Sequence, residues 1–374
     1  MPDRLKESFA IPSKVILAAG GTGGHLFPAQ GLAEQLCAKK VELSFAGAKL
    51  SQNAYFDKTQ FAFCDIASMT PFCKNIFQAA KSLWFLFKGI GQSLALLSEK
   101  KPDLVIGFGS FHSFPVLCAA VIKKVPLVLF ESNAIPGKVI KFFAKRAIVT
   151  ATYFEETKHY LKGKTVEVDI PMRSIASRQI IPQHQARTLF GLDPDLPTLL
   201  VFGGSQGARQ INAHIVAFLP LLKKEMDFQL IHLTGNEETA QEIRLVCTSL
   251  QIPCYVKQFE KEMQVAWNAA DLAICRSGAM TISEILYYAV PALLVPYPFA
   301  ADQHQSKNAQ FLQQKVGGGV CIEEKEISPE ILAKTVHRLY TTQRMQMKQA
   351  IKNYQSEQKK QELHHLIINI LKQI

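Results

Sequence analysis

Gly20-Gly21-Thr22-Gly23-Gly24-His25 sets four glycines, a hydroxyl and an imidazole between the apolar run 15–19 and a helical pattern. A strand that enters a helix through glycines exposes the helix's unpaired N–H groups and its partly positive end. Glycine also lets a phosphate come close to that backbone. The imidazole that follows can accept a proton near neutral pH. Plainer readings stand beside these: a tight turn with no ligand, and a histidine that only hydrogen-bonds phosphate while a carboxylate elsewhere serves as base.

Two further turns have the same character. Gly203-Gly204-Ser205-Gln206-Gly207 follows a second apolar strand pattern, an echo of the first. The stretch "CRSGAMTISEIL", 275–286, leaves a third strand and opens a helix near Ala279. Its first turn offers backbone N–H groups, the Thr281 and Ser283 hydroxyls, and then Glu284, whose carboxylate can accept two hydrogen bonds from a ribose diol. A capping or solvated glutamate is the plainer reading. Asp302, Gln303, His304, Gln305 and Asn308 crowd one loop with groups suited to sugar hydroxyls. Neither glycine turn carries the full GxGxxG fingerprint or a GK[ST] ending, which argues against a dehydrogenase or a P-loop enzyme.

Short continuous apolar segments alternate with helical patterns along most of the chain, as parallel sheets covered on both faces require. Periodicity predicts helices over 27–39, 76–98, 210–224, 237–250 and 280–288. The restart at 197–208 points to two Rossmann-like units. The proline-rich stretch 171–197 joins them and holds a basic helix candidate around Arg187. The expected division is 1–172, 173–342 and a helical tail, 343–374, docked on the first unit.

The 374 residues carry a formal charge of +11, which favours an anionic partner. The eight cysteines form no CxxC and no zinc spacing, so a reducing compartment is expected. The longest uninterrupted apolar run, 114–122, is too short for a bilayer. No RRM or KH signature supports nucleic-acid binding.

"GGTGGH", "ESN", "GGSQGA", "CRSGAMTISE" and "ADQHQSKNA", in this order and spacing, resemble the MurG family of N-acetylglucosaminyltransferases. The resemblance spans about 14–339 and implies the α/β GT-B fold, two Rossmann-like domains facing a cleft. It implies transfer of GlcNAc from UDP-GlcNAc to lipid I, with inversion, at the cytoplasmic face of a bacterial membrane. Lipid I would bind the N-terminal domain and UDP-GlcNAc the C-terminal one. Thr22, Gly23 and Gly24 would lie at the donor–acceptor junction, with His25 as candidate base on the acceptor hydroxyl and Asn133 facing the cleft. Arg173 would lie by the uracil and Ser205 by the phosphate. Ala279, Met280, Thr281, Ile282, Ser283 and Glu284 would hold the nucleotide, Gln305 the GlcNAc, and the backbone at Glu260 the uracil. The family's "GGY" turn reads "GSFHSFP" here, with Phe111 for the tyrosine; its "NP.R" reads "IPMR", and His304 replaces the first of two glutamines.

Asp193-Pro-Asp195 reads as a turn, so no metal is required on the donor, while a divalent metal on the acceptor diphosphate stays possible. A UDP-GlcNAc 2-epimerase is the first alternative, since it shares domains and donor but needs no lipid. A non-catalytic nucleotide- or RNA-binding protein is the second. Protein partners are not legible. The stretch 71–91 mixes Phe72, Ile76, Trp84 and Phe85 with Lys74, Lys81 and Lys88. It reads either as a core helix or as a patch on an anionic membrane surface.

Overall fold

The computed structural model describes residues 13–70, 75–172, 180–204, 209–358 and 360–374. Seven strands of the first unit are β1 (Lys14–Ala18), β2 (Glu42–Gly47), β3 (Phe63–Asp65), β4 (Leu104–Gly107), β5 (Leu127–Glu131), β6 (Val149–Thr152) and β7 (Thr165–Asp169). The second unit has β8 (Thr198–Phe202), β9 (Gln229–Leu233), β10 (Cys254–Lys257), β11 (Leu272–Cys275), β12 (Ala292–Leu294) and β13 (Gly319–Cys321). A short β14 (Gln361–Glu362) returns to pair with β7, so the larger sheet runs β14-β7-β6-β5-β4-β1-β2-β3. The smaller runs β10-β9-β8-β11-β12-β13. Central strands such as β4, β5, β8, β9 and β11 are buried along their whole length. Parallel strands sandwiched by helices need such apolar runs.

The first unit's crossover helices are α1 (Gly23–Cys37), α2 (Ile76–Lys100), α3 (Phe114–Lys123) and α4 (Lys138–Phe143). Those of the second are α5 (Gln183–Leu189), α6 (Arg209–Glu225), α7 (Glu237–Ser249), α8 (Met263–Ala269), α9 (Ala279–Tyr288), α10 (His304–Gln310) and α11 (Pro329–Arg338). Their starts follow local chemistry. Asn236 accepts from the Thr239 N–H at 2.8 Å and Glu237 and Glu238 occupy the positive first turn of α7. Ser328 caps α11 ahead of Pro329. The helix expected from Phe27 begins four residues earlier, because the Thr22 carbonyl already receives the Leu26 N–H at 3.2 Å. Pro28 has no N–H for the Gly24 carbonyl, so that early turn loses one rung.

The tail divides between the units. In α12 (Arg344–Glu357), Met347 joins the second unit's core and Ile351 lies against Gly318. In α13 (Leu363–Leu371), Leu363, Ile367 and Ile370 are buried, and the helix packs on α1.

Arg187, the basic residue of the connecting region, is buried as one half of an ion pair. Its Nη2 lies 2.6 Å from Asp271 Oδ2, and its Nε and Nη1 donate to the Ala269 and Pro194 carbonyls. Asp271 also receives the Thr198 N–H at 2.8 Å and pairs with Arg344 of the tail. The Asp193 turn sits beside this network, its Oδ1 taken by the N–H groups of Asp195 and Leu196, as expected for a turn. Asp271→Ala leaves Arg187 charged and unpaired in the interior. It is expected to cost about 3–5 kcal/mol in denaturant unfolding of the second unit; a loss below 1 kcal/mol contradicts this.

Candidate active site

Each sheet reverses its strand order once, between β1 and β4 and between β8 and β11. At such a reversal neighbouring crossovers leave in opposite directions and open a crevice at the strands' carboxyl ends. The glycine turns lie there. Gly21 has φ +89° and Gly204 φ +86°, conformations that only glycine adopts without strain, at matching places after β1 and β8.

In the first crevice, the Asn53 amide donates to the Gly21 carbonyl at 2.7 Å and holds the turn. A Cβ on Gly24 would meet nothing but the Thr22 hydroxyl, 3.7 Å away, and both residues are exposed. The chain's own packing therefore leaves room at Gly24 for something else to approach. Thr22 is the N-cap of α1, yet its hydroxyl makes no capping bond. His25 Nδ1 lies 2.8 Å from the Phe108 carbonyl, the first residue past β4. A carbonyl only accepts, so we assign the proton to Nδ1 and the lone pair to Nε2. Burial lowers the His25 pKa, the Phe108 carbonyl opposes this, and the charge of His304 lowers it further. The ring is neutral at pH 7.

In the second crevice, Gly278 caps α9 and its carbonyl takes the Ile282 N–H at 3.0 Å. The N–H groups of Ala279, Met280 and Thr281 remain at the helix start. Ile282 is fully buried in the core, and Ser283 hydrogen-bonds the Tyr153 hydroxyl of the first unit. Ile282 thus faces the core with its N–H already taken by Gly278, and the Ser283 hydroxyl faces the first unit. Glu284 is half-buried. Burial pushes its carboxyl up to about 7, and the Trp267 indole lowers it in part without reaching hydrogen-bond geometry. Gln305 gives its Oε1 to the Tyr297 N–H at 2.9 Å, leaving its amide N–H groups for a ligand. Glu260 is occupied by the Tyr255 hydroxyl and the Glu262 N–H, so only the backbone there is available. Arg173 and Ser205 lie outside the described residues.

One buried side chain joins the crevices. Asn308 Oδ1 accepts the Ala134 N–H at 3.0 Å, and its Nδ2 donates to the Ser277 carbonyl at 3.0 Å and to Asn133 Oδ1 at 3.3 Å. Asn133 thus stands at the seam between the units.

Residues 15–152 match the glycosyltransferase family 28 N-terminal domain and 198–367 its C-terminal domain. The chain is 43% identical over 328 residues to the UDP-N-acetylglucosamine--N-acetylmuramyl-(pentapeptide) pyrophosphoryl-undecaprenol N-acetylglucosamine transferase of Protochlamydia amoebophila, covering 87% of each. It is 34% identical to the protein of the same name from Chlamydia trachomatis serovar L2, over 87% of this chain and 89% of that one. This chain belongs to the MurG transferases of glycosyltransferase family 28. The crystal structure of Acinetobacter baumannii MurG superposes with a TM-score of 0.75 at 24% identity, over 97% of this chain and all of that one, and shares the two-domain GT-B fold.

Two groups that the sequence does not mark, and a third that it marks only for sugar, hold this MurG-family site in shape. Glu131 ends β5 buried and receives the N–H groups of Asn133 at 2.9 Å and Gly137 at 2.8 Å. Arg276, also buried, donates to the Val295 and Pro296 carbonyls, pairs with Glu324 and packs on Tyr297. It anchors the loop that leads from β12 to α10, the helix that carries Gln305. Asn308 was read only as a sugar-binding candidate. The signal for the first two is a lone charge at the end of an apolar strand.

On α2, Phe77, Leu83, Trp84 and Phe87 are exposed, while Ser82, Gly89 and Ser93 face inward. The core-helix reading therefore fails for this face. Lys81 and Lys88 are exposed too, with the Lys88 ammonium 5.1 Å from the Trp84 ring centre, and Phe85 is half-buried. Phe72 and Lys74 lie outside the described residues, as does the side chain of Ile76.

Glu284 should titrate near pH 7 in the ligand-free protein, seen by carboxyl NMR against Glu284→Gln. Its folded pKa exceeds the unfolded value of about 4.3, so its contribution to stability is complete below that value and is lost as pH rises through 7. A midpoint below 5 contradicts the desolvated placement.

Proposed function

We propose that this chain transfers GlcNAc from UDP-GlcNAc to lipid I, undecaprenyl-diphosphoryl-N-acetylmuramoyl-pentapeptide, giving lipid II for peptidoglycan. The observation that carries this is the pairing of two crevices across one seam. One ends in a neutral imidazole whose Nδ1 is held by Phe108, leaving Nε2 for a ligand; the other ends in a desolvated carboxyl beside the Trp267 indole. The relatives' names supply the substrates. Neither an epimerase nor a nucleic-acid-binding protein is favoured beside them.

The acceptor hydroxyl attacks C1 of GlcNAc while the bond from C1 to the UDP oxygen breaks, inverting the centre. His25 Nε2 takes the hydroxyl proton. Negative charge grows on the leaving diphosphate, toward which the helix starts after β8 and β11 aim dipoles. The donor is proposed to need no metal for that reason. A divalent cation would belong to the acceptor diphosphate. The ribose diol donates to Glu284, favouring the ionised carboxylate, and the Gln305 amide reads the sugar.

The test is UDP release from UDP-GlcNAc with lipid I, with a soluble acceptor analogue, and with neither. A transferase releases UDP with the first two; release without acceptor points to an epimerase or a hydrolase. His25→Ala is expected to lower kcat about 10²–10⁴-fold, the range for a lost general base, with UDP affinity by calorimetry nearly unchanged. Near-normal turnover would remove His25 from the chemistry.

Membrane attachment is proposed through the outward face of α2. Among the described residues, no helix is long and apolar enough to cross a membrane. Phe77, Trp84 and Phe87 would enter the headgroup boundary while Lys81 and Lys88 meet anionic lipid. Exposed Lys123, Lys124, Lys138, Lys145 and Arg146 of the same unit, with exposed Ile122 and Phe142, extend the surface. Each basic group near such a surface contributes about 1 kcal/mol, screened by salt. Co-sedimentation with anionic vesicles is expected to fall at high salt and in the double variant Lys81→Glu, Lys88→Glu. Binding indifferent to salt, lipid charge and these changes sinks the patch and leaves the transferase reading standing.

A further inference from the structure

The loop after β4 carries a second imidazole that the mechanism does not use. His112 packs directly on the first glycine turn. A Cβ at Gly20 would come within 2.7 Å of His112 Cβ, and one at Gly21 within 3.1 Å of His112 Nδ1. The His112 carbonyl takes the Ala48 N–H at 3.1 Å, which ties this loop to the one beyond β2. Lys49, the next residue there, is exposed and close enough for its charge to act on His112. Two non-glycine residues, Ser110 (φ +67°) and Lys49 (φ +59°), hold left-handed backbone conformations flanking the ring. Such strain persists only where the surroundings impose it.

Ser110 fixes the ring. Its Oγ lies 2.8 Å from His112 Nδ1 and also accepts the His112 N–H at 3.3 Å. Among the described residues the Ser110 hydroxyl has no acceptor other than this ring, so we assign its hydrogen to Nδ1, which leaves the neutral ring protonated at Nε2. Burial, His25 and Lys49 all lower the His112 pKa, so this neutral donor persists at pH 7. Among the described residues nothing hydrogen-bonds Nε2, and His112 is half-buried. The two imidazoles on this turn therefore have opposite tautomers: His25 keeps a lone pair at Nε2, and His112 presents an N–H.

We propose that His112 is an acceptor-binding residue whose Nε2–H, held by Ser110 and backed by Lys49, donates to an oxygen of the acceptor's diphosphate. A neutral N–H suits this better than a second base would. It binds an anion without competing for the proton that His25 must take. This rests on the transferase reading above.

The test uses three variants and two acceptors. His112→Ala removes the ring, His112→Asn keeps an amide near Nδ1 for Ser110, and His112→Gln places an amide N–H near Nε2. One acceptor is a soluble lipid I analogue with its diphosphate; the other is the matched muramoyl-peptide glycoside without it. His112→Ala is expected to raise KM for the diphosphate acceptor about 10–100-fold, the range for a hydrogen bond to a charged group. The KM for UDP-GlcNAc and for the neutral acceptor should stay close to wild type. Gln should restore the diphosphate acceptor and Asn should not. Rescue by Asn, an equal loss on both acceptors, or no loss at all overturns the proposal, since each marks a role confined to holding the loop. Thermal unfolding followed by circular dichroism on the same variants identifies any that misfold, and Gln against Asn then decides among those that fold. A wild-type protein that transfers to neither acceptor defeats the transferase reading itself, and this assignment falls with it.

Discussion

Every strand pairing in both sheets is parallel. Most else about the site follows from that constraint. Successive parallel strands need a crossover, so strand carboxyl ends and helix amino ends collect on one edge of each sheet. That edge is where unpaired N–H groups gather and where negative charge is best received. The order reversals at β1/β4 and β8/β11 then decide which loops can open. The glycine turn before α1, the His25–Phe108 contact and the start of α9 all stand at those reversals. The chemistry is placed by topology first and by side chains second.

The units meet through a seam of two kinds. Phe154 of the first unit and Phe311 of the second pack edge to face at 4.8 Å, with Tyr354 of the tail against Phe311. Around this apolar contact are polar ties: Lys315 to Glu155 and Glu156, each at 2.9 Å, and Asn308 to Ala134 and Asn133. The exposed ion pairs are individually weak. The Asn308 bonds are buried, and breaking them without substitutes leaves donors and acceptors unpaired. Opening the cleft therefore costs most at Asn308, and least at Lys315, where water can replace the partners.

Local chemistry explains how much could be read beforehand. The glycine turns, the α9 start and the alternation of strands and helices in the two units follow from spacing alone, since each depends on residues within a few positions. Helix α1 was misplaced at its start because Gly23, Gly24 and His25 are poor helix formers, and the Thr22 carbonyl overrides them. Ile282 and Ser283 were grouped with ligand-facing neighbours, yet helical geometry turns one into the core and the other to Tyr153. Arg187, Asp271, Glu131, Arg276 and Asn308 show their purpose only through partners distant in sequence, such as Asn308 with Ala134. A buried polar group is legible as important from burial, and burial is a tertiary fact.

Desolvation tunes the two ends of the site by one rule with opposite consequences. Burial disfavours charge, so it lowers the pKa of His25 and raises that of Glu284. For His25, in the role proposed above, the neutral form is the working form, and burial keeps the ring neutral where an exposed histidine would be protonated below about pH 6.5. For Glu284, in the ribose-binding role proposed above, the working form is the charged one, which burial opposes. A ligand diol that donates to it relieves the cost of burial as it binds, which couples occupancy to ionisation. In those proposed roles, burial holds the imidazole in its working form without a ligand, while the carboxyl reaches its working form as a diol binds.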